Sequence, residues 1–262
     1  MIIFLHIPKT AGTSFRFILE NNFGLSHCHT NHTNRSVFNQ ADLDFAKKVF
    51  PRLRSIAGHN IIDPLQLSVT DPFHITFLRE PVSRVISQYQ ESVVKGTNRK
   101  SFEECLREKG NLENLHVKLI AGERNLDKAK RFIEKCNFVG LTEKFNLSLH
   151  ILERLCPYKL NMNYKRRRVA TDNTIRQSLQ SDNRMMEIAR EYNKLDMELY
   201  AFAVNEVFPK LCEKAGFSPS DEVASYETHT NEIQLKYILG RLYNRLVYRQ
   251  ICKIRSKHVL GG

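Results

Sequence analysis

The chain of 262 residues is 42% hydrophobic and 26% charged, the balance of an ordinary folded protein, and its length suits one large domain rather than two independent ones. Forty Lys and Arg against 28 Asp and Glu leave a formal charge of +12. Such an excess favours a polyanionic partner, whether nucleic acid, acidic glycan, membrane surface or a nucleotide with several phosphates, and does not choose among them.

The first element is the almost continuous apolar run Ile2, Ile3, Phe4, Leu5 and Ile7, which reads as a strand buried on both faces. It stops at Pro8. Lys9, Thr10, Ala11, Gly12, Thr13 and Ser14 then form a tight loop of mostly small residues, and from Thr13 the spacing of Phe15, Phe17, Ile18 and Leu19 is helical. Strand, loop and helix in that order present backbone N–H donors and a helix N-terminus to a phosphate. The lysine precedes Gly12, whereas the triphosphate loop GxxxxGK[ST] has it after the last glycine, followed by a magnesium-holding Ser or Thr.

Residues 26–40 are polar and carry His27, Cys28, His29 and His32. Without a carboxylate or second cysteine at ligand spacing they read as a solvated loop, lining an acceptor cleft, rather than as a metal site. A short helix over 42–50 ends at Pro51. The brief apolar stretch Ser55-Ile56-Ala57 then reaches Gly58-His59-Asn60. In doubly wound sheets the carboxyl ends of strands meet at the ligand crevice, which is where this reading puts His59.

Phe73, Ile75, Phe77 and Leu78 form a further strand with Arg79 at its end, and Pro81 opens a helix with Val82, Val85, Ile86, Tyr89 and Val93 on one face. Ser87 follows the arginine by eight residues, so guanidinium and hydroxyl can converge on one phosphate. The plainer alternative pairs Arg79 with Glu80 or Glu91. Residues 101–135 read as packing helices, 138–143 as a strand and turn, 145–155 as a helix, and 181–215 as one long amphipathic helix ended by Gly216. The only boundary, at 218–225, divides a domain of residues 1–217 from a basic helical extension of residues 218–262. Residues 231–262 hold seven Lys and Arg against Glu232 alone. Arg241, Arg245, Arg249 and Lys253 recur every four positions as one stripe, while Leu235, Ile238, Leu239, Leu242, Leu246 and Ile254 favour other faces, through which such a helix would dock. The stripe reads either as solvated or as a contact for an anionic acceptor or membrane surface.

HIPKTAGTS resembles the 5′-phosphosulfate loop of sulfotransferases that use 3′-phosphoadenosine 5′-phosphosulfate (PAPS), in particular the group that contains the heparan sulfate 2-O-sulfotransferases. Ala11 stands where the commoner form has glycine. FLREP with Ser87 is similar to that family's 3′-phosphate motif, Gly58-His59 to the second half of the His-Gly-His around its catalytic histidine, and FVGLTEKFNLSLHILERLCP to its VG(V/L)TE segment. The likeness covers approximately residues 2–210.

The resemblance implies an α/β protein, three-layer α/β/α with a central parallel sheet related to nucleotide kinases and a helix-rich C-terminal half. It implies PAPS as sulfonyl donor, no metal, and in-line transfer to a hydroxyl, most of all one on a carbohydrate. Lys9 would sit on the bridging oxygen and His59, a histidine largely neutral near physiological pH, would take the proton. Lys9, Thr10, Ala11, Gly12, Thr13, Ser14, Arg79 and Ser87 would bind the donor, with Lys165, Arg166, Arg167 and Arg168 in a basic loop over the nucleotide. Nucleic acid is not expected as a partner. Two other classes compete: a P-loop kinase, which needs magnesium ligands after the lysine, and a non-enzymatic polyanion binder, which leaves the Arg79/Ser87 spacing unexplained. Six scattered cysteines without a CxxC pair, no room for a cleavable leader before the first strand and no apolar run of membrane-spanning length set the expectation of a cytoplasmic protein.

Overall fold

The computed structural model describes residues 1–50, 52–108, 112–165, 173–228 and 234–260, with residues 256–260 described by backbone alone. Strands β1 (Ile2–Leu5), β2 (His27–His29), β3 (Ser55–Gly58), β4 (Phe73–Leu78) and β5 (Phe138–Leu141) pair in the order β2-β3-β1-β4-β5, every neighbour parallel. All residues of β1, β3, β4 and β5 are buried, because side chains pointing to either face of the sheet meet a helical layer. This is the α/β sheet that the apolar runs and the resemblance led us to expect.

Parallel pairing requires crossovers. They are supplied by α1 (Gly12–Phe23), α2 (Gln40–Val49), α3 (Pro81–Val94), α4 (Phe102–Arg107), α5 (Leu115–Ala121) and α6 (Leu126–Lys135). After β5 come α7 (Phe145–Leu155), α8 (Thr174–Ser181), α9 (Asn183–Tyr192), α10 (Lys194–Phe202), α11 (Phe208–Ala215), α12 (Leu235–Leu242) and α13 (Arg249–Leu260). Local chemistry fixes several starts: Asn39/Asp42 and Ser101/Glu104 form reciprocal caps on α2 and α4, and both Glu80 carboxylate oxygens accept backbone N–H groups at the start of α3.

Residues 181–215 are not one helix. Buried Asn193 turns its side chain back onto Ala189 O and accepts from Asn114 N, while Asn114 Oδ1 accepts from Asp196 N. This polar knot competes with the helical ladder and breaks it between α9 and α10.

Residues 26–33 are not a solvated loop either, although the chain from 34 to 37 stays largely exposed. His27–His29 is the edge strand β2, with Cys28 fully buried, His27 Nδ1 3.1 Å from Ser55 Oγ, and Arg16 Nη1 donating to His29 Nε2 at 2.7 Å. Among the described residues no group of three or more His, Cys, Asp or Glu is placed to hold a metal ion. Burial, with Arg16 nearby, pushes the His27 pKa down to about 3. Between that value and the unfolded one near 6.5 only the unfolded chain takes up the proton, so the contribution is intact above pH 6.5 and is lost as pH falls through this window. Urea unfolding is expected to show wild-type stability falling about 2 kcal/mol more than that of His27→Asn between pH 7 and pH 5.

The C-terminal helices follow one another through a widened π-type turn over Tyr243–Tyr248. Tyr237, Gly240, Asn244, Tyr248 and Cys252 are the buried positions, not the aliphatic residues that sequence patterning assigned to docking. Tyr237 meets Phe17 edge-on, Asn244 Nδ2 donates to His27 O at 2.8 Å, and Asn244 Oδ1 accepts from His29 N at 2.9 Å. Gly240 seats so closely that a Cβ there would lie 2.5 Å from the Gly24 carbonyl. Because the wide turn keeps residues four apart on one side, a polar and aromatic face docks and the leucines turn outward.

Candidate active site

The loop between β1 and α1 turns on two left-handed residues, Lys9 at φ 70° and Ala11 at φ 58°. Glycine, which the resembling motif carries at the second of these positions, adopts that conformation without a Cβ penalty. Ala11→Gly is therefore expected to stabilise the fold by about 1 kcal/mol, read as a rise in melting temperature. Thr10 is turned inward, its hydroxyl donating to Ile7 O at 2.9 Å, so its side chain braces the turn instead of facing the cleft.

Gly12 has a different reason. A Cβ there would fall 1.9 Å from His6 Cδ2, so only glycine lets α1 begin against the His6 ring. That ring stacks on Phe4 on one side and lies 4.0 Å, centroid to centroid, from the ring of His59. His59, just past β3, is held at two points: its backbone N–H donates to Asn31 Oδ1 at 2.8 Å and its Nδ1 meets the His6 carbonyl at 2.5 Å. A carbonyl only accepts, so Nδ1 carries the hydrogen and the neutral ring keeps its lone pair on Nε2. Gly58 is required by the same support, since a Cβ there would strike Thr30 Oγ1 and Asn31 Oδ1.

On the other side of β1, Arg79 Nη1 donates to Lys9 O at 3.1 Å, tying the end of β4 to the loop. Glu80 spends both carboxylate oxygens on capping α3, though its charge still favours the Arg79 cation, and Glu91 lies against Lys9 and Lys95. Burial draws the Arg79 pKa down, opposed chiefly by the charge of Glu143. Thr142 and Glu143, past β5, clamp this junction: Thr142 Oγ1 donates to Leu78 O, and Glu143 accepts from Glu80 N and from Tyr200 Oη. Lys9 Nζ lies 3.4 Å from Glu91 Oε2, whose other oxygen takes Lys95 at 2.7 Å. Burial lowers the Lys9 pKa, and Glu91 opposes that shift.

These groups face a cleft of about 1140 Å³ over the carboxyl ends of β1, β3, β4 and β5. Lys9, Ala11, Gly12, Thr13, Ser14, His59, Arg79 and Ser87 all line it, and Thr10 does not. Arg166, Arg167 and Arg168 lie outside the described residues, and Lys165 is exposed beside Tyr164 on the wall. A sequence model described as the sulfotransferase family matches residues 1–203. The chain belongs to the sulfotransferase family. No curated protein matches it.

In this sulfotransferase the sequence reading passed over several cleft residues or their supports. His6 stood only as a substitute for His59 and Glu91 only as a partner for Arg79, while Glu143 sits inside a motif noticed for its other members, so proximity to Lys9 and Arg79 was the available signal. Asn31 carries none, because its partner His59 is 28 positions away. Arg176 on α8 and the segment 220–223 reach the cleft from regions whose composition says nothing of it.

Proposed function

We propose that this sulfotransferase takes PAPS as donor and a carbohydrate hydroxyl as acceptor, as a member of the heparan sulfate 2-O-sulfotransferase-like group. The observation that carries the reading is the convergence, on one cleft, of the Lys9 loop, Arg79 with Ser87, and a histidine tautomer with its lone pair on Nε2. The residues fit such a donor: the loop and the start of α1 offer backbone donors, and Arg79 with Ser87 gives a second anion position one strand away. The volume admits a nucleotide together with a sugar ring.

PAPS, when bound, supplies a sulfonyl group attached to a phosphate leaving group. The chain's own work is then positional and electrostatic. Lys9 would meet the charge that grows on the leaving side, the loop N–H groups would hold the 5′ end, and Arg79 and Ser87 would hold the 3′-phosphate. His59 Nε2 accepts the hydroxyl proton while Nδ1–H stays on the His6 carbonyl, which fixes the ring as the proton arrives.

Thermal shift with 3′-phosphoadenosine 5′-phosphate against magnesium ATP tests the donor, and labelled sulfate transfer to a panel of polysaccharides, small alcohols and tyrosine peptides tests the acceptor. Stabilisation by ATP alone, or transfer only to the non-sugar hydroxyls, would replace the reading. Arg79→Ala is expected to weaken 3′-phosphoadenosine 5′-phosphate by about 1.5 to 3 kcal/mol in calorimetry and to spare adenosine 5′-phosphosulfate, which lacks the 3′-phosphate. Equal losses would reduce Arg79 to the tie that holds the Lys9 carbonyl.

A further inference from the structure

The widened turn leaves the C-terminal helices with three straight rows. Gly240, Asn244, Tyr248 and Cys252 face the protein, while Arg241, Arg245, Arg249 and Lys253 run exposed along the flank. Ile238, Leu242, Leu246, Gln250 and Ile254 occupy the row two positions on from the docked one, which is the side turned away from the protein. Leu242 is 48% exposed, Leu246 60% and Ile254 58%, and Leu235 beyond them 70%. Large aliphatic side chains scattered singly are normal on a surface, but a row of them along one helix face, interrupted here only at Gln250, marks a contact.

We infer that this ridge is an interfacial helix that seats the protein on an anionic lipid bilayer. Two complementarities favour that occupant. The flank is all cation: after Glu232 no acidic residue occurs, and the four bases follow at one helical turn each, a row suited to a sheet of lipid phosphates. The ridge beside it is aliphatic apart from Gln250, without the aromatic anchors that fill pockets on a protein partner, and it suits a fluid hydrocarbon layer. An anionic polysaccharide would account for the arginines and gain nothing from Leu242 and Leu246. The arrangement lies flat on the membrane, since no helix among the described residues is long and apolar enough to cross one. No residue of these helices lines the cleft, so the proposed seating leaves the active site open.

The test is flotation of the full chain with vesicles of phosphatidylcholine alone and of phosphatidylcholine mixed with phosphatidylserine. Wild type is expected to float with the anionic vesicles, weakly with the neutral ones, and less as salt is raised. Leu242→Gln with Leu246→Gln is expected to lower the partition coefficient about thirtyfold, and so is Arg245→Gln with Arg249→Gln. All four positions are exposed, and an unchanged melting temperature certifies each fold. Wild type that ignores anionic vesicles, or variants that partition like it, would overturn the proposal. So would a dimer, seen by sedimentation, that the leucine substitutions dissolve, since a second copy would then own the ridge.

Discussion

Lys9→Ala is expected to lower turnover about a thousandfold while weakening 3′-phosphoadenosine 5′-phosphate less than tenfold. The asymmetry follows from the loop. The backbone N–H groups of Ala11, Gly12 and Thr13 survive the substitution and would continue to hold a 5′-phosphate, so ground-state affinity has other sources, while Ser14 N and Phe15 N are already donated to Ala11 O. The ammonium is the cation on that loop, and its setting is built for use at one moment. Its side chain is only 18% exposed, burial works against its charge, and Glu91, with Lys95 on its second oxygen, keeps that charge in place. In the proposed reaction, negative charge gathers on the leaving phosphate only as the bond breaks, and a preorganised cation at low dielectric is worth most there. Single-turnover kinetics beside calorimetry separates the two effects. Wild-type turnover in the variant would remove Lys9 from the chemistry, and an equal loss of binding and rate would make it a binding residue.

His59→Ala is expected to cost about a thousandfold in acceptor turnover and to leave donor affinity unchanged, the scale of a lost general base. The wild-type rate should rise with pH along a limb that the variant lacks. Asn31→Ala offers the sharper control, because Asn31 touches the His59 backbone and not its ring. Loss of that anchor should lower kcat with the pH limb kept, as expected of a positioning residue. A fully active His59→Ala with the same pH profile would shift the role to His6, which shares the cleft; His74 does not line it and lies buried in β4, at the register of Ile3.

Much of this was legible in the sequence because parallel strands covered on both faces are mostly apolar: β1 read directly as such, β4 by Phe73, Ile75, Phe77 and Leu78 around buried His74 and Thr76, and the charged residues that follow them, Lys9 and Arg79, fall where the sheet ends and the cleft begins. What was hidden depended on long-range pairing. The three residues of β2 read as polar loop because two of them are histidines, whose acceptability in an edge strand rests on Ser55 and Arg16. The break at Asn193 rests on Asn114, and the latch on Lys9 rests on a glutamate 82 positions away. The C-terminal helix misled for another reason. A period of 3.6 put its leucines inward, and one widened turn is enough to exchange the faces.

The cleft wall at Ser220–Val223 carries a consequence for engineering. It lies past residue 203, where the family match ends, so one side of the pocket is written in sequence separate from the strands that carry Lys9, His59 and Arg79. The wall is a short loop fastened at both ends: Asp221 closes its start by accepting from Ser218 N, and its downstream end is held by the short ladder in which Tyr164 N donates to Tyr226 O and Thr228 N donates to Tyr164 O, with the backbone carbonyl of Ala224 accepting from His150 Nε2 between them. Residues 222–224 can therefore be exchanged as a cassette, with the two fasteners kept, to reshape that side of the cleft while the strands that carry Lys9, His59 and Arg79 are inherited intact.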